Sequence, residues 1–379
     1  MPLVRARLIT ALFKHPLVKL GLLGRIAGVA HRAAPLPNPA FFKVFRRALR
    51  LYLQERYTPE EACCNGMLDP GGPVKPHRDF ISKKRMMEIQ GALNPGSWTR
   101  LTEDKSIFYR YCMALRLPTP ELFACFFKDR AGWSGTGSVV QGRQDRERFL
   151  CDGLPEEFVI KPVWGVYGAG IRIIHRSETG VFTDATGLQQ QAVEVYRSML
   201  LHPDYHGFVI QERLRNHSTL VRLSDTEYLQ TVRVVTFVAA SSECRILYAL
   251  LKPIVGRNFV DNHDHGSTGN LHVPIDLGTG KLRVASIMTK DGSGEKTVLN
   301  HPGTGVPFEG FRLPLWDETR QLAMQAAFRF LPLRIIGWDI AITPEGPYII
   351  EANAWADPFC YAGIADIVAA LPDPRQGMG

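Results

Sequence analysis

The first 54 residues lack any aspartate or glutamate, although they contain ten lysine or arginine residues. The rest of the chain carries 35 basic and 37 acidic residues. The net charge of +8 and the isoelectric point near 9.1 therefore originate in the N-terminal segment. Such a distribution does not indicate the broad basic surface of a nucleic-acid-binding protein, and we expect no nucleic-acid partner.

Cysteine motifs and long apolar runs are absent as well. The seven cysteines include no CxxC pair and no cysteine–histidine spacing of a zinc site, which argues against zinc modules and fits scattered, reduced thiols. We expect Cys63 and Cys64 to be packed thiols rather than nucleophiles. No apolar run approaches the roughly 20 residues that span a bilayer, and basic residues interrupt each candidate core of a signal peptide. These features predict a cytoplasmic protein.

The N-terminal segment, residues 1–54, has the pattern of two basic amphipathic helices. Four cations of the second helix fall on one side: Lys43, Arg46, Arg47 and Arg50. Such a helix can dock to an anionic membrane leaflet, at the inner face of the membrane, or to an acidic partner. It can equally pack on the body with its basic face in solvent, and the sequence leaves both interpretations open.

The remaining chain predicts an α+β fold with largely antiparallel sheets. At 379 residues the protein is long enough for two or three subdomains. Residues 55–120 have mostly helical patterns, beginning at TPEE, where Thr58 and Glu61 form a capping box. Segments rich in β-branched and aromatic residues follow from residue 121, interrupted by helical patterns. This order does not fit a regular βαβ series.

Two carboxylates stand out in the C-terminal hairpin predicted from RIIGWDIAIT and PYIIEAN. If the hairpin is centred on Glu345, Asp339 lies directly opposite Glu351, and Asn353 points to the same face. Like charges in this position repel each other, so a positive charge is expected between them. A Mg²⁺ ion held by these oxygens would supply it. A register shifted by one residue, or a basic side chain that pairs with the acids, is the alternative.

A lysine followed by a glycine-rich loop is the second notable pattern. In EFVIKPVWGVYGAGIRII, Lys161 ends a predicted strand and Gly165, Gly168 and Gly170 follow before the next strand. The spacing differs from that of a P-loop. Backbone N–H groups of such a loop can still surround phosphates while the lysine adds a positive charge. An ordinary hairpin with permissive glycines explains the pattern about as well.

Taken in chain order, five segments resemble the ATP-grasp superfamily, most closely its sugar-transfer-associated group: FVIKPVWGVYGAGI, VIQERL, TVRVVTF, VGRNFVDN and GWDIAITPEGPYIIEAN. The resemblance covers about residues 80–360 and implies an ATP-grasp fold, in which Mg-ATP binds between a small lid subdomain and a larger antiparallel-sheet subdomain. The regions expected are a basic helical arm (1–54), a helical region (55–120), the lid (121–205) and the C-terminal subdomain with the metal site (206–379).

The resemblance also implies roles for individual residues. The two nucleotide-binding lysines would be Lys105 and Lys161, of which the second contacts phosphates. The lid-loop glycines would be Gly165, Gly168 and Gly170. Adenine and ribose would be held by Gln211, Glu212 and Leu214. The Mg²⁺ ligands would be Asp339, Glu351 and Asn353, in agreement with the hairpin pattern.

The chain departs from the superfamily two residues before the metal-binding aspartate, where many of its ligases have an arginine and this chain has Gly337. Another cation must then stabilise the transferred phosphoryl group, and the candidates are Arg233 and Arg257. A surface ion pair is the alternative role for each arginine. In the loop after Arg257, we expect Asp261 and Asn262 to hydrogen-bond the second substrate, while the histidines beside them are equally consistent with solvated side chains.

The activity implied by the resemblance is that of an ADP-forming carboxylate–amine ligase with ATP and Mg²⁺ as cofactors. Phosphoryl transfer to a small-molecule carboxylate would give an acyl phosphate, which an amine then attacks. Lys161, an arginine and Mg²⁺ would stabilise the transferred group. Two alternatives stay open: a small-molecule kinase on the same scaffold, and a non-catalytic nucleotide-binding accessory protein docked to a membrane.

Overall fold

The computed structural model describes residues 16–70, 81–165, 168–262, 268–288 and 295–358. The chain divides into two compact units. The smaller unit contains residues 1–89, 286–297 and 357–379, and the larger contains residues 90–285 and 298–356. Among the described helices, none has both the length and the apolar composition needed to cross a bilayer.

Helices form the described N-terminal part of the smaller unit. They are α1 (Pro16–Ala33), α2 (Ala40–Arg50) with a π-helical turn after it (Leu51–Glu55), α3 (Pro59–Cys64) and α4 (Lys83–Leu93), which extends past residue 89. The apolar faces of α1, α2 and α3 share one core that includes Ile26, Val44 and Ala62. Residues 1–15, the first part of the predicted basic arm, lie outside the described residues.

The predicted capping box at the start of α3 is confirmed. The Thr58 hydroxyl accepts a hydrogen bond from the Glu61 amide over 3.1 Å, and the Glu61 carboxylate accepts one from the Thr58 amide over 3.4 Å. Pro59 occupies the first helical position, where its missing N–H has no helical partner to lose.

The larger unit contains the remaining helices and most of the strands. Its helices are α5 (Arg100–Glu103), α6 (Lys105–Ala114), α7 (Gly142–Asp152), α8 (Ala192–Leu200), α9 (Ser218–Ser224) and α10 (Trp316–Arg329). A separate pair of strands, β12 (Ala285–Met288) and β13 (Glu295–Val298), forms a two-stranded sheet.

An eight-stranded antiparallel sheet has the order β3-β2-β1-β8-β4-β5-β6-β7. Its strands are β1 (Leu122–Phe127), β2 (Gly132–Ser134), β3 (Val139–Val140), β4 (Glu157–Pro162), β5 (Arg172–Arg176), β6 (Phe182–Asp184), β7 (Gln189–Gln190) and β8 (Gly207–Glu212). On one face, Phe158, Ile160 and Ile210 form a core with residues of α7 and α8. Because side chains alternate along a strand, Lys161 of β4 and Gln211 of β8 lie on the opposite face.

A five-stranded antiparallel sheet has the order β11-β10-β9-β14-β15. Its strands are β9 (Thr231–Val238), β10 (Cys244–Leu251), β11 (Val273–Pro274), β14 (Ile335–Thr343) and β15 (Gly346–Asn353). One face packs near α10, where Phe330 makes an edge contact with the Trp338 ring at 5.1 Å. The residues of β14 that alternate with Trp338 therefore point to the other face, which carries the predicted acids. The expected α+β fold with antiparallel sheets is confirmed.

The hairpin β14–β15 pairs Asp339 with Glu351 and Gly337 with Asn353, as predicted. The expectation that it is centred on Glu345 is wrong, because a two-residue turn closes it and pairs Thr343 with Gly346. A register shift after Asp339, where Ile340 pairs with Ile349, adds one residue to β15 and restores the predicted pairing of the acids.

Candidate active site

Asp339 lies at the centre of a buried ionic cluster on the five-stranded sheet. Arg233, its partner across the β9–β14 pair, donates from Nε to Oδ1 and from Nη2 to Oδ2, the latter over 2.9 Å. The Nζ of Lys252, directly after β10, lies 3.1 Å from Oδ2. Both carboxylate oxygens therefore have basic partners, one on β9 and one directly after β10. The cation expected beside this acid is provided by the protein itself.

The three groups of this cluster keep each other charged. Burial alone would raise the pKa of Asp339, but the charges of Arg233 and Lys252 hold it below its ordinary value. Burial alone would lower the pKa of Arg233 and of Lys252, and nearby carboxylates raise both above their ordinary values. The cluster is consequently a fixed set of charges at neutral pH.

The space left by Gly337 is occupied by the side chain of Arg233. A Cβ atom on Gly337 would lie 3.3 Å from Cδ of Arg233 and 3.1 Å from Cβ of Ala356. A side chain at position 337 would therefore compete with the arginine. Of the two arginine candidates, Arg233 lies in the cluster, whereas Arg257 is exposed in a turn and makes no ion pair within the described residues.

Glu351 occupies the more open side of the site, and its side chain is 35% exposed. Its carboxylate lies 3.9 Å from Nζ of Lys105, and it accepts from the side-chain nitrogen Nδ2 of Asn353 over 3.4 Å. Lys105 Nζ also donates to the Gly165 carbonyl over 3.3 Å. Basic side chains thus lie beside both Asp339 and Glu351, as in the alternative that the sequence left open.

The donor set for a metal ion consists of Asp339, Glu351 and Asn353. Carboxylate and amide oxygens suit Mg²⁺, and Glu351 is accessible enough to bind it, but both oxygens of Asp339 already accept from cations. In the described parts of the chain no group of three or more His, Cys, Asp or Glu side chains could hold a metal. Glu351 and Asn353 therefore remain available to a Mg²⁺ ion that takes its other ligands from phosphate, whereas Asp339 would have to give up a basic partner. The assignment of all three residues stays a prediction.

Lys161 approaches from the eight-stranded sheet and is only 8% exposed. Burial lowers its pKa to about 8, while Glu351 opposes this shift and Lys105 adds to it. The lysine is thus partly desolvated and close to carboxylates and another lysine. An anion entering the site would raise this pKa again, because it favours the charged form of the lysine.

Lys105 is positioned by the residue before it, Asp104. The Asp104 carboxylate caps α6 by accepting from the Ser106 amide at 2.9 Å, and its second oxygen accepts from Trp164 Nε1 at 2.9 Å. The Lys105 amide donates to the Val163 carbonyl at 3.1 Å. These bonds connect the start of α6 to the end of β4, so both predicted nucleotide-binding lysines lie in one site.

The glycine loop is tightly packed at its C-terminal end. At Gly170 (φ +73°) an added Cβ would lie 2.6 Å from Cε2 of Tyr205 and 2.8 Å from Cγ of Pro162, so a side chain there would clash. Gly168 (φ +71°) packs against Val260 of the loop after β10. Val166 and Tyr167 lie outside the described residues.

The three residues expected to hold adenine and ribose have different environments. Gln211 is buried on the face that carries Lys161, and its Oε1 accepts no hydrogen bond in the described structure, so a ligand N–H group could satisfy it. Glu212 Oε2 accepts from the Glu121 amide at 3.0 Å. Leu214 packs in a small core that includes Ile350.

The predicted substrate residues in the loop after β10, Asp261 and Asn262, accept hydrogen bonds from other residues of the protein. Asp261 Oδ2 accepts from the Thr231 amide at 2.8 Å and lies 3.4 Å from Lys252 Nζ, so Asp261 belongs to the ionic cluster. The Asn262 carbonyl accepts from the Asn270 side chain at 2.8 Å. The nearby residues 263–267, which include two histidines, lie outside the described residues.

Lys252 and Asp104 are residues of the site that the sequence patterns did not identify. Lys252 interrupts the apolar stretch LYALLKPIV, and an isolated lysine within such a stretch indicates a buried charge that needs an acid. Asp104 stands at the N-cap of α6, where an aspartate is common and indicates only a helix start. Its second bond, to Trp164, depends on the tertiary fold.

Several solved structures of ATP-grasp enzymes align with this chain at low similarity. N5-carboxyaminoimidazole ribonucleotide synthetase in its ADP complex is 12% identical with a TM-score of 0.41, over 77% of this chain and 58% of that one. A RimK domain ATP-grasp protein from Sphaerobacter thermophilus is 13% identical with a TM-score of 0.37, over 71% and 69%. D-alanine–D-alanine ligase from Bacillus anthracis is 12% identical with a TM-score of 0.34, over 67% and 57%. The chain thus spans 57% of the length of that ligase.

No curated protein matches the sequence. A family model described as sugar-transfer associated ATP-grasp matches residues 84–368. This match covers most of the chain and includes both lysines, the glycine loop and the acidic hairpin described above. The chain therefore belongs to the sugar-transfer-associated ATP-grasp family.

Proposed function

We propose that this protein is an ADP-forming ligase that uses Mg-ATP to activate a small-molecule carboxylate and couples it to an amine. The observation that carries the proposal is the convergence of charged side chains from both sheets of the larger unit. Lys161 comes from the eight-stranded sheet, and Arg233, Asp339 and Glu351 come from the five-stranded sheet. This arrangement suits a bound polyphosphate, which needs cations around its oxygens and a place for its metal ion.

Each residue has a distinct part in the proposed reaction. Lys105 and Lys161 would contact phosphate oxygens, and Arg233, held by Asp339, would face the transferred group as a fixed positive charge. Because the ion pair already fixes this guanidinium, it needs little rearrangement when negative charge develops. Mg²⁺ bound at Glu351, Asn353 and Asp339 would neutralise phosphate charge when present.

The proposed chemistry has two steps. A substrate carboxylate oxygen attacks the γ-phosphorus of ATP, the bond from that phosphorus to the ADP oxygen breaks, and an acyl phosphate forms. A neutral amine then attacks the acyl carbon and loses a proton to solvent, and inorganic phosphate leaves. The products are an amide, ADP and phosphate, so little general-base chemistry is required of the protein.

The test measures ADP release by the intact protein with Mg-ATP, first with pools of carboxylates alone and then with added amines. A ligase should release ADP efficiently only when both substrates are present, and mass spectrometry should detect an amide. A stable phosphorylated product without an amine would instead identify a kinase. Absence of Mg-dependent nucleotide binding would contradict both activities.

The description of the family supports a first choice of substrates. Because the family is named for an association with sugar transfer, sugar acids and amino sugars are sensible members of the first pools.

Arg233→Met should abolish ADP release, whereas Arg257→Met should retain it if only the arginine inside the ionic cluster stabilises the transferred phosphoryl group.

A further inference from the structure

The smaller unit has an open groove along α2 and the π-helical turn, which we call the basic groove. It has a volume of about 840 Å³. Its lining combines four cations, Lys43, Arg46, Arg47 and Arg50, with apolar side chains that include Phe42, Leu49 and Leu53. Among the described residues, no acidic side chain belongs to this lining.

The cations of the basic groove differ in how they are held. Arg47 is fixed, because it donates to the Asp69 carbonyl at 3.0 Å and to the Met67 carbonyl at 3.3 Å. Lys43 and Arg46, in contrast, are exposed, and neither makes an ion pair with any described residue. Within the part of the chain that the structure describes, these two cations thus have no acidic partner.

Apolar side chains lie beside these charges. Phe42 is 68% exposed, and Leu49 and Leu53 line the same groove. The spacing of Phe42, Leu49 and Leu53 places them along one strip of the helical surface. Leu49 and Leu53 are half-buried, so Phe42 is the apolar group that projects furthest. A helix with cations next to an exposed aromatic side chain suits an interface that is anionic at the surface and apolar below it.

We propose that the basic groove docks the protein on an anionic phospholipid membrane. The headgroup phosphates would pair with Lys43 and Arg46, and Phe42 would insert among the acyl chains. This occupant matches the two properties of the groove together, since a free phosphate would use only the cations. The absence of acids from residues 1–54 adds to the attraction of the whole segment.

The test is co-sedimentation of the intact protein with vesicles of phosphatidylcholine alone or with added phosphatidylglycerol. The variants are Lys43→Gln with Arg46→Gln, and Phe42→Ser. A matched control, Lys84→Gln with Arg148→Gln, removes two exposed cations that have no ion pair among the described residues. All variants must give the circular dichroism spectrum of the unchanged protein.

Binding should require the anionic lipid and weaken as salt is added. The Lys43/Arg46 variant should partition about thirty-fold less, since each basic residue near an anionic surface contributes on the order of 1 kcal/mol. Phe42→Ser should also weaken binding, and the Lys84/Arg148 control should change it less than threefold.

Three results would overturn the proposal: equal binding to both kinds of vesicle, equal loss in the Lys43/Arg46 variant and its control, or no vesicle binding. Protection by inorganic phosphate in a thermal-shift assay without vesicle binding would assign the groove to a small anion instead. None of these outcomes depends on the proposed ligase activity.

Discussion

Replacing Asp339 by asparagine removes the negative charge on which the buried cluster depends. Arg233 and Lys252 then remain buried with one neutral acceptor between them, although Lys252 keeps its contact with Asp261. Removing one partner of a buried ion pair typically costs about 3 to 5 kcal/mol. Since the amide retains one oxygen acceptor, we expect a loss near the lower end, about 3 kcal/mol, in the free energy of unfolding.

Urea unfolding followed by tryptophan fluorescence measures this loss. Because the folded-state pKa of Asp339 is depressed, its contribution is complete above the pKa of the unfolded chain, about 3.9. The contribution is lost only as pH falls through the folded-state pKa. The difference between the unchanged protein and Asp339→Asn should therefore be constant from pH 5 to 8.

The matched control is Glu227→Gln, which removes a carboxylate from the exposed ion pair with Arg215. Exposed pairs contribute about 0 to 1 kcal/mol, so this variant should unfold almost as the unchanged protein does. If Asp339→Asn behaves like the control, the buried ionic cluster does not exist in solution as described.

Three further predictions concern the rest of the fold and the site. Burial lowers the pKa of Lys161 to about 8, and bound phosphate would raise it. The affinity for an ATP analogue, measured by titration calorimetry, should therefore fall as pH rises above 8. Lys161→Arg should bind the analogue without this fall. Gly170→Ala should lower the free energy of unfolding by about 1 to 3 kcal/mol, because its Cβ would clash with a neighbouring ring; Gly137→Ala, at a positive φ in open space, should cost less. Thr58→Ala should lower it by about 1 kcal/mol by removing the helix cap, as measured by urea unfolding.

The pairing of the two acids could be predicted from sequence because strand alternation leaves few choices. A side chain in the middle of β14 lies on one face or the other, and the apolar residues beside Asp339 assign the opposite face to the core. The position of the turn could not be predicted from sequence. The two-residue turn shifts the register of the hairpin by one residue, and the bulge in β15 shifts it back. Sequence spacing cannot reveal two register shifts that cancel.

Charge partners across strands were the other part that sequence could not supply. Arg233 and Arg257 were equivalent candidates, and only the alignment of β9 beside β14 puts one of them against Asp339. The sequence does not single out Lys252, because its role depends on Asp261 and Asp339, which only the fold brings next to it. The position of Leu214 in the segment VIQERL assigns it to the nucleotide. Its side chain packs in an apolar core, which the motif alone does not indicate.

In the proposed function, this site binds Mg-ATP through Glu351 on its open side. The most direct measurement is titration calorimetry of a non-hydrolysable ATP analogue, with and without Mg²⁺, for the unchanged protein and Glu351→Gln. The side chain of Glu351 is 35% exposed, so the substitution should leave the melting temperature nearly unchanged. We expect Mg-dependent binding that Glu351→Gln weakens at least tenfold. No binding, or equal affinity in both proteins, would show that Glu351 does not hold Mg-ATP.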